Sequence, residues 1–130
     1  MFPKNIFGSR FNSSDGVANV VINASDIVIL AGQTTITLTN VPFNIRFISA
    51  SDAENIDQIL AGRDGYILII VGLDNNITIS DNAFISLNSL PDGTNFSMQQ
   101  YDVLALINRD GDPNNGINGS HQELFRTEKS

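Results

Sequence analysis

Apolar and polar residues alternate in short runs along most of the chain, and residues that favour turns separate the runs. In Thr35–Thr39, Ile36 and Leu38 alternate with threonines; in Asn76–Ser80, Ile77 and Ile79 alternate with polar neighbours. A period of two sends one set of side chains to a core and the other to water, the pattern of a half-buried strand. Strands are expected near 17–24, 26–31, 34–39, 43–49, 65–71, 76–80, 84–88, 101–108 and 120–127. Gly32-Gln33, Leu73–Asn76, Asp81-Asn82 and Pro91–Gly93 supply turn chemistry between them. No window holds apolar residues at helical spacing over three turns. The nearest candidate is Ser51–Leu60, where Ser51 as a cap and Glu54 three residues on would support a turn or two of helix. Short strands of this spacing predict an all-β fold, an antiparallel β-sandwich or barrel-like domain.

Two of these strands break the alternation. Tyr66–Val71 is apolar on both faces, and Val103, Ala105 and Ile107 alternate with Leu104 and Leu106. Such strands must be covered on both sides. The chain's own second sheet covers one face; the other needs a third layer from the chain or a neighbouring subunit. Two such strands in so short a chain favour the neighbouring subunit, and hence a homo-oligomer. Tyr66, Leu68, Ile69, Ile70, Val103, Leu104 and Leu106 are the candidate core and subunit-interface residues.

Residues 1–16 lack sustained alternation and carry three Phe and two basic residues among turn formers. The segment is either a frayed terminus or an arm that orders on a partner. Aromatic anchors on a polar segment are costly to expose, which favours the arm. Phe2, Lys4, Phe7, Arg10 and Phe11 are its candidate contact residues. The expected organisation is an extended N-terminal arm over 1–16, a β-sandwich domain over 17–127 and a short C-terminal tail over 128–130.

Composition narrows the possible chemistry. The 130 residues allow one domain, and 42% hydrophobic content is enough for a core. Seven basic against 14 acidic residues give a net charge of −7, which disfavours nucleic acid as a partner because phosphates need clustered Lys and Arg. No apolar run approaches the length of a membrane helix, and no basic start followed by an apolar run marks a leader. With no Cys and one His, clusters of these two residue types cannot ligate a metal. His121 has only sequence neighbours, Ser120, Gln122 and Glu123, around it, so no triad can be placed. There is no G-x-S-x-G and no phosphate loop. Asp110–Gly116 looks like part of a calcium loop, but the Gly and Glu positions of an EF-hand hold Asn115 and His121; a hairpin turn is the expectation. No cofactor is expected, and the chain is not read as an enzyme; a glycan-degrading enzyme built on paired carboxylates is the catalytic alternative.

Several stretches resemble a module of tailed-bacteriophage virion proteins. They are Asn44–Ile48, Ala61–Ile69, Asn76–Asp81, Phe84–Leu87, Tyr101–Leu106 and Gly119–Arg126. In that family a glycine turn precedes an apolar strand; an I-x-I-x-D strand, an apolar pair, a G-D-x-L-x-L strand and an ending like W-x-E-x-x-R follow. Tyr101 stands where Gly is usual before Asp102, and His121 where Trp is usual before Glu123 and Arg126. The resemblance spans roughly residues 43–127 and implies a homotrimeric, non-catalytic part of a virion. Because the chain begins at Met1 with only a short arm, it looks like a stand-alone capsid cement (decoration) protein. Such a protein would bind the major capsid protein on the outer capsid surface as a trimer. The alternative is a tail-fibre or receptor-binding module whose loops 89–95 and 109–119 contact host glycans.

Overall fold

The computed structural model describes residues 9–10, 19–20, 23–38 and 43–128, and these residues form strands and turns. The strands are β1 (Ser9–Arg10), β2 (Asn19–Val20), β3 (Asn23–Ile29), β4 (Thr35–Thr37), β5 (Phe43–Ala50), β6 (Glu54–Ile56) and β7 (Gln58–Leu60). They continue with β8 (Ile67–Gly72), β9 (Ile77–Ile79), β10 (Ile85–Ser86), β11 (Phe96–Ser97), β12 (Val103–Arg109) and β13 (Ser120–Thr127), with one 3₁₀ turn at Pro113–Asn115. A six-stranded sheet runs in the order β10-β13-β12-β8-β5-β3; smaller sheets join β11-β9-β6, β4-β7 and β1-β2. The protein is therefore all-β.

Successive lengths of chain stack on one another in parallel. In the large sheet Ala24 lies opposite Ile45 and Ile45 opposite Ile69, offsets of 21 and 24 residues. In the small sheets Thr35 lies opposite Gln58 and Glu54 opposite Ile77, offsets of 23. A near-constant offset with parallel pairing means that the chain coils, each coil lying on the one before, as in repeat architectures. The corners stack too. Asp74 accepts from the Ala50 amide and Asn76 donates to the Ala50 carbonyl, tying one corner to the corner beneath it. After β9 the coiling ends; β12 runs antiparallel to β8, β13 antiparallel to β12, and β10 pairs with β13 at the edge of the sheet.

The antiparallel expectation is corrected here: among the described strands, five of the nine pairings are parallel. Side-chain alternation is the same in both kinds of sheet, so it does not report strand direction. Turn residues serve a coil corner as well as a hairpin. Gly32, at φ +80, and the bond from Gln33 N to Leu30 O turn the chain out of β3, but β4 then pairs with β7 and not with β3.

The helical turn expected at Ser51–Leu60 is also absent; β6 and β7 occupy that stretch. Ile56 and Ile59 are buried there, and Glu54 accepts from the Gly32 amide instead of serving a cap. Packing of two isoleucines on opposite sides of a corner outweighs a weak local helix signal.

One apolar cluster joins the six-stranded sheet, the three-stranded sheet and the β4-β7 pair: Ile29, Ile36, Ile48, Ile56, Ile59, Leu68, Ile70, Ile77, Ile79, Ile85, Phe96, Met98, Leu104 and Leu106 are all buried in it. Ile36, Leu38, Ile77 and Ile79 face this core, as their alternation indicates. Each such side chain contributes about 1.5–3 kcal/mol through burial.

Candidate functional site

Alternation along β8 and β12 divides the doubly apolar strands between two faces. Leu68, Ile70, Leu104 and Leu106 point into the core and are fully buried. Ile69 and Val103 lie on the opposite face, half-buried, with Ile67, Val71 and Ile107. Tyr66, just before β8, is half-buried against the core beside Arg46. The seven residues that sequence pattern groups as core and interface thus separate into a core set and an outward set.

Register aligns the outward set into rows. Ile45, Ile69, Ala105 and Phe125 lie side by side across β5, β8, β12 and β13. Phe47, Val71 and Val103 form the next row, and Ile67 pairs with Ile107 on the other flank. Ile67 is 41% and Phe125 53% exposed, and Val28 of the edge strand is 62% exposed. None of these positions carries a charge; Asp26 of β3, opposite Phe47, is the nearest carboxylate along the rows. A contiguous uncharged patch on a sheet face is the kind of surface that marks an interaction site. Ile45, Phe47 and Phe125 were not singled out from sequence. Their signal is the register, which sequence does not show.

Of the arm residues, Phe2, Lys4, Phe7 and Phe11 lie outside the described residues. Arg10 lies in β1, opposite Asn19 of β2.

The last strand brings together the residues of the family-like ending. Glu123 and Arg126 form a two-pronged ion pair: Arg126 Nε donates to Glu123 Oε2 at 2.9 Å and Nη2 to Oε1 at 2.8 Å. Nη2 also donates to Ser89 Oγ at 3.1 Å, and the Asn88 amide donates to Glu123 Oε1. The guanidinium lies 4.2 Å from the centre of the Phe96 ring. Burial pushes the Glu123 carboxyl up, but the bonds from Arg126 and Asn88 outweigh it and leave the group below its ordinary value. Beside this pair opens a cleft of about 520 Å³, bordered by the 88–97 segment and the end of β13.

His121 is 1% exposed, at the other end of β13. Its Nε2 lies 3.5 Å from Asn108 Nδ2, while Nδ1 has no hydrogen-bond partner among the described residues. Burial pulls its pKa down to about 4, so the ring is neutral near pH 7. The side chain is enclosed and has no nucleophile hydrogen-bonded to it among the described residues.

Asp110–Gly116 forms a tight turn. Asp112 and Ile117 make an isolated antiparallel bridge, Asn115 donates to Asp112, and the Asp110 amide donates to Asp64. Among the described residues, no three His, Asp or Glu side chains are placed to hold a metal ion. Asp57 and Asp81 serve as anchors: Asp57 accepts from Asn55 and Ser80, and Asp81 from the Leu87 and Gly93 amides.

No family model, curated protein or solved structure matches the chain.

Proposed function

We propose that this protein is a non-catalytic structural subunit of a tailed-bacteriophage virion, a homotrimeric cement protein bound to the major capsid protein on the outer capsid surface. The observation that carries the reading is the uncharged apolar face built by Ile45, Phe47, Ile67, Ile69, Val71, Val103, Ile107 and Phe125. Apolar area held in water loses about 25 cal/mol per Å² relative to burial, so association with siblings through this face is favoured. Resemblance over residues 43–127 supports the virion setting, and the net charge of −7 suits a protein placed outside the shell, away from DNA.

The mechanism is mechanical. Internal pressure pulls capsid subunits apart, and a trimer bound across their seams resists because separation strips its buried contacts. Interfaces of about 800 Å² per partner give specific binding, and repetition over the shell multiplies the effect.

Two measurements test this. Light scattering should give three times the chain mass, and electron microscopy of virions should show many copies on the head. A single-chain mass at every concentration, or density confined to the tail tip, would overturn it.

A fibre-tip or receptor-binding module that contacts host glycans through loops 89–95 and 109–119 is the second reading. The cleft beside Glu123 and Arg126, which loop 89–95 borders, favours it. A glycan array would support this reading through sharp binding that substitutions in those loops abolish.

A further inference from the structure

We propose that the cleft at the end of β13 binds a neutral, hydroxyl-rich saccharide. This rests on the receptor-binding reading and deepens it by naming a site and a ligand class. The volume, about 520 Å³, falls within the range of small-ligand sites.

Charge excludes one class of ligand. The cleft holds one guanidinium, Arg126, against the carboxylates of Glu123 and Glu128, and Asp81 also acts on Arg126. This negative balance repels phosphate, sulfate and carboxylate ligands. A hydrocarbon ligand fits no better, because amides, hydroxyls and charged groups make up most of the lining.

The hydrogen-bonding groups left open point to the remaining class. Arg126 Nε and Nη2 are held by Glu123 and Ser89, whereas Nη1 has no hydrogen-bond partner among the described residues. The guanidinium is locked over Phe96 and so is oriented before any ligand arrives. Asn95 accepts from the Asp81 amide through Oδ1, which leaves its NH₂ as a donor. Glu128 offers acceptors nearby, and Ser97 Oγ, which shares one hydrogen bond with Thr78 Oγ1, keeps a lone pair to accept another. Fixed donors interleaved with acceptors match sugar hydroxyls, each of which donates and accepts. Preorganisation lowers the ordering cost of weak ligand binding.

The test is an amide NMR titration of the intact protein with chitobiose, lactose and maltose, set against heparin disaccharide and inorganic phosphate. At least one neutral sugar is expected to shift Asn95, Phe96, Ser97 and Arg126 more strongly than either anion does. Asn95→Asp keeps the oxygen that accepts from Asp81 and removes the donor; it should weaken that sugar about tenfold, the effect of one lost hydrogen bond. Its unchanged spectrum elsewhere would show that the fold is intact. Preference for the anions, no shift with any probe at millimolar concentration, or full binding by Asn95→Asp would each overturn the proposal. Shifts confined to 109–119 would overturn this site and leave the receptor-binding reading standing.

Discussion

Glu123 and Arg126 stand three residues apart on one strand yet share a face. An odd spacing puts side chains on opposite faces of an unbroken strand. Here the β12–β13 ladder steps from Ala105–Phe125 to Leu106–Glu123, leaving Leu124 as an extra residue. This bulge rotates the strand by one position and lets the two charges meet. It also explains the E-x-x-R spacing of the ending: that spacing makes an ion pair in a strand only if a bulge lies between.

Arg126→Ala should destabilise the fold by about 2 kcal/mol, measured as a lower urea midpoint. Loss of the partner leaves Glu123, whose side chain is 3% exposed, with a buried charge. The expected cost is below that of a fully buried pair because Arg126 keeps 19% exposure. Deleting Leu124 should cost less than Arg126→Ala, since it removes the extra residue and leaves the two charges two residues apart, still on one face of a plainly alternating strand.

Stability should fall as pH drops from about 6.5 to about 4. His121 titrates near 4 in the folded protein against 6.5 when unfolded, so across that window the unfolded chain binds more protons and gains on the folded one. The full effect is about 3 kcal/mol and levels off below pH 4. His121→Gln should flatten the dependence between pH 6.5 and 4.5, as read from urea midpoints at several pH values. Glu123 acts in the acid range: its carboxyl is lowered on folding, so its contribution is present above the unfolded carboxylate pKa and lost as pH falls through the folded one.

Sequence alone treats Ile69→Asp and Leu104→Asp alike, as changes that stop folding or assembly. The structure separates them. Leu104 is 0% exposed in the core, so an unpaired carboxylate there costs several kcal/mol and should abolish folding. Ile69 lies on the outward face, so Ile69→Asp should give a folded single chain by light scattering and circular dichroism. A folded trimer from Ile69→Asp would remove that face from the interface.

Gly119→Ala and Gly116→Ala make a matched pair. Both glycines have positive φ, +66 and +70. A Cβ at Gly116 meets open space, whereas at Gly119 it runs into the Arg109 carbonyl and the Gly111 backbone. Gly116→Ala should lose about 1 kcal/mol from backbone strain alone, and Gly119→Ala clearly more, on the order of 3 kcal/mol. Thermal midpoints of the two variants check the order.

Deleting residues 2–14 should leave the folded trimer and abolish attachment to capsids, as measured by co-sedimentation with undecorated heads. A monomeric or unfolded product would contradict the division into arm and body.

Period-two runs such as Thr35–Thr39 and Asn76–Ser80 made the all-β class and the core positions Ile36, Leu38, Ile77 and Ile79 legible, because burial follows alternation directly. Doubly apolar Tyr66–Val71 announced a central strand for the same reason. Strand direction was not legible, since Ala24, Ile45 and Ile69 are neighbours only through coils of more than twenty residues. β6 and β7 were hidden because three-residue strands carry too little pattern to outweigh a local helix signal.

The amino-acid order determined which residues avoid water, where the chain can turn and which functional groups it lacks. Tertiary structure decided which outward side chains join into one surface. Ile45, Ile69, Ala105 and Phe125 form a row across four strands only through their register, and register depends on long-range pairing that local pattern does not encode. The same holds for Glu123 and Arg126, which meet because a ladder slips by one residue at Leu124.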